Sequence, residues 1–509
     1  MFRALLTLIC CTSLIAAAPS PHPSLATSPL PAVVADHADA VTQHSVTVNG
    51  APIAYTARAG TLELTNAAEK PTAYVFYTAY TVDGANRPLT FVYNGGPGSS
   101  TMWLRMGSFG PVRVLAANAK PTGPAPYRIV DNPYTLLDKT DLVFIDMPDS
   151  GFGRIEPGHE KDYFGVDQDA AAFGQFIERY ITRFHRWNSP KFIFGESYGT
   201  TRSAALGSWL FDHGIALNGI VLQSSILNFN LDNDSVNGGT NATGDWGYVF
   251  DLPTEAATAW YHNAVRNKPA SLSAFMNSVE QFAMGPYLDA LFAGNHISSA
   301  TKNSVARRLS YYLGIPVTYV LQSNLRVTYQ RLQRELLRGS DQVFGRLDSR
   351  YTTYALRQAS NQGPPWDPTD SSIDAPYITA VNAYLRDDLQ YQTPLQYRSD
   401  IYAIINASGP DGGWPPPRRS NVINVAPDLA ATMSQNPQMK VFSANGYYDL
   451  ATPFFATVYT LNHLEIAPPL RSNITYGFYE SGHMIYLDDA ALAQYKSDLS
   501  RWYDSALGR

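Results

Sequence analysis

The chain has 509 residues, a net charge of −6 and 12% aromatic residues, with 32 tyrosines among them. The charge, with no basic block, leaves no electrostatic footprint for nucleic acid or an anionic membrane, and the aromatic content excludes a largely disordered chain. A chain of this size buries most of its unfolded surface and is expected to divide into a core and an added lobe.

Residues 1–18 read as an export signal. Arg3 gives a positive start, Ala4 to Ile15 an apolar run too short to span a bilayer, and Ala16-Ala17-Ala18 a small-residue cleavage site. Cys10 and Cys11 are the only cysteines and lie within that run, which disfavours a lipoprotein and leaves the cut chain without thiol or disulfide. Thiol-free export fits a bacterial periplasm or the culture medium. Residues 19–43, rich in Pro, Ala and Ser, are expected to form a flexible arm, outside the fold. Asn241, Asn406 and Asn473 open N-x-Ser/Thr triplets, a pattern too short to carry weight.

The folded part is expected to begin at 44. HSVTVNG, PIAYTARAG, TLELTN and TAYVFYTAYTV are β-branched or aromatic runs separated by Asn-Gly, Ala-Gly or charged breaks, and predict antiparallel strands joined by hairpins. Later runs are compact and apolar: LTFVYN, DLVFID, KFIFGES, GIVLQS, KVFSAN and NITYGFYES, the mark of strands buried on both faces. Helical stretches such as DQDAAAFGQFIERYITRFHRW and TTRSAALGSWLFDHG lie between them, giving the β-α-β rhythm of a parallel sheet. From 231 to 426 buried-strand runs nearly vanish and helical segments take over, including PTEAATAWYHNAV and TAVNAYLRDDL. The expected architecture is α/β: a mostly parallel central sheet flanked by helices, with core halves at 44–230 and 427–509 and a mainly helical cap lobe inserted at 231–426.

Gly195-Glu196-Ser197-Tyr198-Gly199 matches G-x-S-x-G between a predicted strand and a predicted helix. Such a turn lifts the serine hydroxyl to the N-terminus of the next helix, where backbone amides can hold an oxyanion. In α/β-hydrolases an acid and then a histidine follow from later strand ends. Of the histidines, His463 and His483 lie late enough; His483, in Glu-Ser-Gly-His-Met after a strand, is favoured over His463 in a helix-like stretch. Asp449, in NGYYDLATP after KVFSAN, is the matching acid, and an N-cap reading of the same residue is compatible with that role. Asn94-Gly95-Gly96-Pro97-Gly98-Ser99-Ser100 follows LTFVY as a tight turn whose amides can approach a ligand closely. It lacks the Lys-Ser/Thr ending of a phosphate loop, so nucleotide binding is disfavoured.

NGGPGSS, GESYG, NGYYDLATP and ESGHM, in this order and with a helical insertion between the second and third, resemble the serine carboxypeptidases. The resemblance implies an α/β-hydrolase fold with Ser197 as nucleophile, His483 as general base and Asp449 as its orienting partner. It also implies an oxyanion hole from the amides of Gly96 and Tyr198, and recognition of a peptide's free C-terminal carboxylate around Asn94, Gly95 and Glu196. Two positions depart from the family's eukaryotic carboxypeptidases: Val92 stands where they have Trp, and Ser108 where they have a second Glu. Arg202, five residues past the serine, is a substitute cation for the carboxylate or a structural ion pair.

The expected activity is removal of a C-terminal residue from a peptide through an acyl-enzyme, with neither metal nor organic cofactor. The same triad admits a less selective peptidase, an esterase or an acyltransferase, because it fixes the reaction and leaves the substrate open. An exported binding protein on a retired hydrolase fold is the third reading, disfavoured by three competent triad positions. The partner expected is a peptide substrate, with no nucleic acid and no membrane after signal cleavage.

Overall fold

The computed structural model describes residues 39–231, 244–360, 363–408, 413–416 and 422–509. The expected export signal and residues 19–38 of the expected arm lie outside the described residues, and positions 40–43 already belong to the first strand.

Strands β1 (Ala40–Val48), β2 (Ala51–Thr65) and β3 (Pro71–Thr81) pair antiparallel in sequence order. PIAYTARAG and TLELTN, expected as two strands, form the single long β2. Gly60 is no break there. A Cβ at this position would stand 2.0 Å from Asp39 Oδ1, so the glycine makes room for a carboxylate that pairs with Arg58 and Arg183.

The chain continues through β4 (Leu89–Tyr93), helix α1 (Met102–Gly107), the small hairpin β5 (Val112–Val114) and β6 (Ile129–Asp131), then β7 (Asp141–Ile145) and the short β8 (Arg154–Ile155). Helix α2 (Val166–Arg183), β9 (Lys191–Glu196), helix α3 (Tyr198–Asp212) and β10 (Gly219–Gln223) follow. The next stretch is mainly helical, beginning with α4 (Trp246–Tyr261) and including one small hairpin, β11 (Gln342–Phe344) with β12 (Thr352–Tyr354). Strands β13 (Lys440–Gly446) and β14 (Ile474–Tyr479) then complete the sheet.

The main sheet runs β1-β2-β3-β7-β4-β9-β10-β13-β14, with β8 beside β3. From β7 to β14 every pairing is parallel. The sequence explains this: β4, β7 and β10 are buried at every position, as strands covered on both faces must be. Alternation then sorts the side chains. Leu89, Phe91 and Tyr93 of β4, with Val143 and Ile145 of β7, join one core together with residues of α2 and α3. Val92, Leu142 and Phe144 face the other, against Tyr495, Leu499 and Tyr503 of the C-terminal helix. A third core, built on Val249, Leu252, Phe275 and Leu309, lies within the helical stretch between β10 and β13.

No helix among the described residues is long and apolar enough to cross a membrane. The carboxyl ends of β4, β9, β13 and β14, at one edge of the parallel sheet, lead into the loops that carry the candidate site residues, the usual place for a ligand in an open α/β sheet.

Candidate active site

Ser197 sits between β9 and α3 with φ +62° and ψ −133°, a left-handed backbone that a non-glycine residue adopts only at a cost of about 1–3 kcal/mol. The turn is held by Ser197 N–H donating to Gln223 O at 3.0 Å and Thr200 N–H donating to Ser197 O at 2.8 Å. The flanking glycines are required by space. A Cβ on Gly195 would fall 2.2 Å from Gly199 O, and one on Gly95 would fall 2.5 Å from Tyr198 N. The turn after β4 thus rests directly on the first residue of α3.

Asp449 and His483 meet, and His483 lines the same cavity as Ser197. His483 Nδ1 lies 2.9 Å from Asp449 Oδ2, and both side chains are buried. Burial alone would lower the imidazole's pKa, but the adjoining Asp449 carboxylate outweighs it and raises the value above that of an ordinary histidine. The carboxylate is fully engaged: Oδ1 accepts from the amides of Ala451 and Thr452 at 2.9 and 3.0 Å, and Oδ2 accepts from the Thr452 hydroxyl at 2.6 Å. That hydroxyl is also 3.2 Å from His483 Nδ1. His463 lies elsewhere, exposed at the end of a short helix and stacked on Tyr459.

Ser197 and His483 line one cavity of roughly 390 Å³, together with Asn94, Gly95, Gly96, Glu196 and Tyr198. Asn94 Nδ2 donates to Glu196 Oε1 at 2.6 Å, and Gln223 Nε2 donates to Oε2 at 2.7 Å. Desolvation pushes the Glu196 carboxyl up to about 7. The Tyr198 side chain is buried, with its hydroxyl accepting from Trp414 Nε1 at 2.9 Å.

Val92 and Ser108 do not line the cavity. Val92 is buried in the hydrophobic core, and the fully buried Ser108 hydroxyl donates to Leu104 O at 2.6 Å. Arg202 is likewise buried. It pairs with Asp169 at 2.7 Å, donates to Asn94 O at 2.7 Å and lies over the Phe173 ring, so of its two readings the structural ion pair is the one seen.

Several cavity residues carried no signal in the sequence. Trp103, from α1, lines it, as do Arg346, Asp370, Asp374 and Tyr402 from the stretch between β10 and β13. Burial raises the carboxyls of Asp370 and Asp374 to about 7 and about 6, with neighbouring carboxylates adding to the rise. Thr452 and Gln223 were equally unmarked, although Asp-x-x-Thr after a strand is a legible turn in which side-chain oxygens take up backbone amides. No group of three or more His, Cys, Asp or Glu side chains arranged to hold a metal ion occurs among the described residues.

Residues 49–282 match the serine carboxypeptidase family model. A serine carboxypeptidase-like 51 of Arabidopsis thaliana is 30% identical over 153 residues, 28% of this chain and 30% of that protein. Serine carboxypeptidase-like 45 of the same plant is 27% identical over 214 residues, 40% of this chain and 42% of that protein. The chain therefore spans less than half the length of these curated relatives. The crystal structure of a prohormone-processing carboxypeptidase, Kex1Δp of Saccharomyces cerevisiae, superposes with a TM-score of 0.50 at 14% identity, covering 89% of this chain and 92% of that one. Likeness at that identity speaks for the fold, which is that of the α/β-hydrolases. Over residues 49–282 the chain is similar to the serine carboxypeptidase family.

Proposed function

We propose that the chain is a serine-type carboxypeptidase that hydrolyses the C-terminal peptide bond through an acyl-enzyme on Ser197. The observation that carries this reading is the 2.9 Å contact between His483 and Asp449 at the cavity that Ser197 also lines. In this mechanism Ser197 Oγ attacks the last peptide carbonyl while His483 takes its proton, and Asp449 stabilises the imidazolium. The amides of Gly96 and Tyr198, the latter at the positive end of α3, receive the oxyanion. His483 then gives the proton to the departing amino group, and a water, activated in the same way, releases the acyl chain. The leaving residue's carboxylate is held at Asn94 and Glu196, with Gly95 shaping the turn, and one proton is shared between the two carboxyls.

A less selective peptidase or an esterase is the second reading, favoured by the burial of Val92 and Ser108 away from the cavity. Fluorophosphonate labelling followed by a peptide-library digest read by mass spectrometry separates the two. Loss of single C-terminal residues supports the carboxypeptidase; internal cleavage or ester turnover alone overturns it.

The stretch 231–426 is read as the cap over the cleft, and residues 1–18 as a signal that sends the protein to a bacterial periplasm or to the medium. The N-terminal sequence of the exported protein tests the latter; a retained Met1 would sink it.

A further inference from the structure

The stretch between β10 and β13 reaches under the acid and base loops at one place, residues 346–350. Leu450 N–H donates to Arg346 O and Ser349 N–H to Tyr448 O, each at 3.0 Å, so this segment brackets Asp449 from both sides. His483 N–H donates to Leu347 O at 2.7 Å. Between these backbone bonds lies a buried ion pair. Arg350 Nη2 donates to Asp348 Oδ2 at 2.6 Å and Nε to Oδ1 at 3.0 Å, and both side chains are almost wholly buried.

The pair grips the three residues before His483. Arg350 donates to Glu480 O at 3.3 Å and to Ser481 Oγ at 3.0 Å, while Asp348 Oδ2 accepts from Gly482 N–H at 3.2 Å. Asp488 closes the far side at 2.9 Å from Arg350. The segment is itself anchored to the helix Pro368–Ala383, whose N-cap Asp367 accepts from the amides of Arg346 and Leu347. That helix also carries Asp370 and Asp374 of the cavity wall. The segment 346–350 is tied to α4 by Thr258 against the Ser349 hydroxyl and, just past that helix, by His262 against Ser349 O, both at 2.7 Å.

We propose that residues 346–350 are a splint joining the helical stretch to the catalytic loops, with Asp348 and Arg350 as positioning residues that hold His483 against Asp449. They touch neither substrate nor reacting atoms. Their effect is geometric: the hydrogen bond between base and acid tolerates little displacement, and a misplacement of about 1 Å costs on the order of 10²-fold in rate. The proposal rests on the reading in which His483 is the base.

The test compares Arg350→Met, Arg350→Lys, Asp348→Asn and the Met/Asn double variant in the full chain, on a free-acid peptide, with turnover expressed per fluorophosphonate-titrated site. Arg350→Met should lower kcat about 10²-fold with KM little changed. Arg350→Lys should recover part of it, and the double variant should be no worse than the single because the two act as a unit. The pH profile gives a readout that a mere brace would not move. His483 faces Asp449, Glu196 and Arg346, with Asp370 nearby, and Asp449 is the group that raises its pKa. Loosening that contact should move the acidic limb to lower pH. Should Arg350→Met not fold, Ser481→Ala, which removes one bond of the grip, should give a several-fold fall in kcat and the same direction of limb shift. A lower melting temperature with kcat per site and the limb unchanged overturns the splint. Ser197→Ala keeps the two failures apart. If that variant turns over normally, the functional reading falls and the splint with it; if it is dead while a folded Arg350→Met is fully active with an unmoved limb, only the splint falls.

Discussion

His483 Nδ1 and Asp449 Oδ2 are 2.9 Å apart in a buried contact, and the carboxylate raises the imidazole's pKa although burial opposes it. A base works only when neutral, so kcat/KM should fall as pH drops through that raised value. Asp449→Asn removes the charge, so the limb should move to lower pH while kcat falls by about 10⁴-fold, the cost of a mis-set tautomer in other triads. A pH–rate series on both proteins checks this, with His463→Ala expected to match wild type.

Ser197 occupies its strained backbone whatever its side chain, because the turn is held by main-chain bonds to Gln223 and Thr200. Ser197→Ala should therefore keep the melting temperature while turnover drops by several orders of magnitude, on the order of 10⁶-fold where such variants are measured. Fluorophosphonate labelling should vanish with it. Labelling that persists at wild-type rate would place the nucleophile elsewhere.

The parallel half of the sheet was legible because strands buried on both faces read as unbroken apolar runs, as LTFVY and DLVFI do. The candidate triad was legible because each member stands beside a glycine turn at a strand's end. What stayed hidden depends on tertiary approach. Gly60 looked like a break and is a seat for Asp39, a residue 21 positions earlier that no local pattern ties to it. Asp348 and Arg350 lie in LDSRY, which has no periodicity or motif, and their meaning comes from loops about 130 residues further on. Arg346, Asp370 and Tyr402 are brought to the cavity by the packing of helices whose sequence fixes their helicity and leaves their placement open.

Arg202 and Asp169 form a fully buried pair beneath the turn that carries Asn94. Removing one partner leaves the other charge uncompensated, which costs about 3–5 kcal/mol. Arg202→Met should lower the unfolding free energy by an amount in that range and the melting temperature with it. Its preference for a free C-terminal carboxylate over an amide should stay as in the wild type, since Arg202 does not line the cavity. Thermal denaturation and paired kinetics on acid and amide peptides check both statements; a selective loss of the free-acid preference would return Arg202 to substrate recognition.

Glu196 gives the most specific expectation. Its carboxyl is buried, accepts from Asn94 and Gln223, and is pushed up to about 7 by desolvation. A substrate carboxylate beside it is tolerable only while a proton is shared between them, since like charges in a partly dry site repel strongly. Binding of a free-acid peptide should therefore be strongest below that value and weaken as pH rises through it. Turnover through His483 runs the other way, improving as the imidazole loses its proton. For a free-acid peptide kcat/KM should then be bell-shaped around neutrality, with apparent values belonging to the coupled pair rather than to either group alone. For the corresponding amide the alkaline limb should be absent, because an uncharged end needs no shared proton. Neither Val92 nor Ser108 lines the cavity to hold a carboxylate, so the amide should be penalised only modestly at low pH. Glu196→Gln should flatten the alkaline limb for the acid and, for acid and amide alike, move the acidic limb to lower pH, because the Glu196 charge helps raise His483. The measurement is kcat/KM for one acid–amide peptide pair across acidic to alkaline pH, with wild type and Glu196→Gln. A free-acid preference that is large, constant with pH and untouched by the Gln change would mean that another cavity group holds the carboxylate, with Arg346 the first to replace.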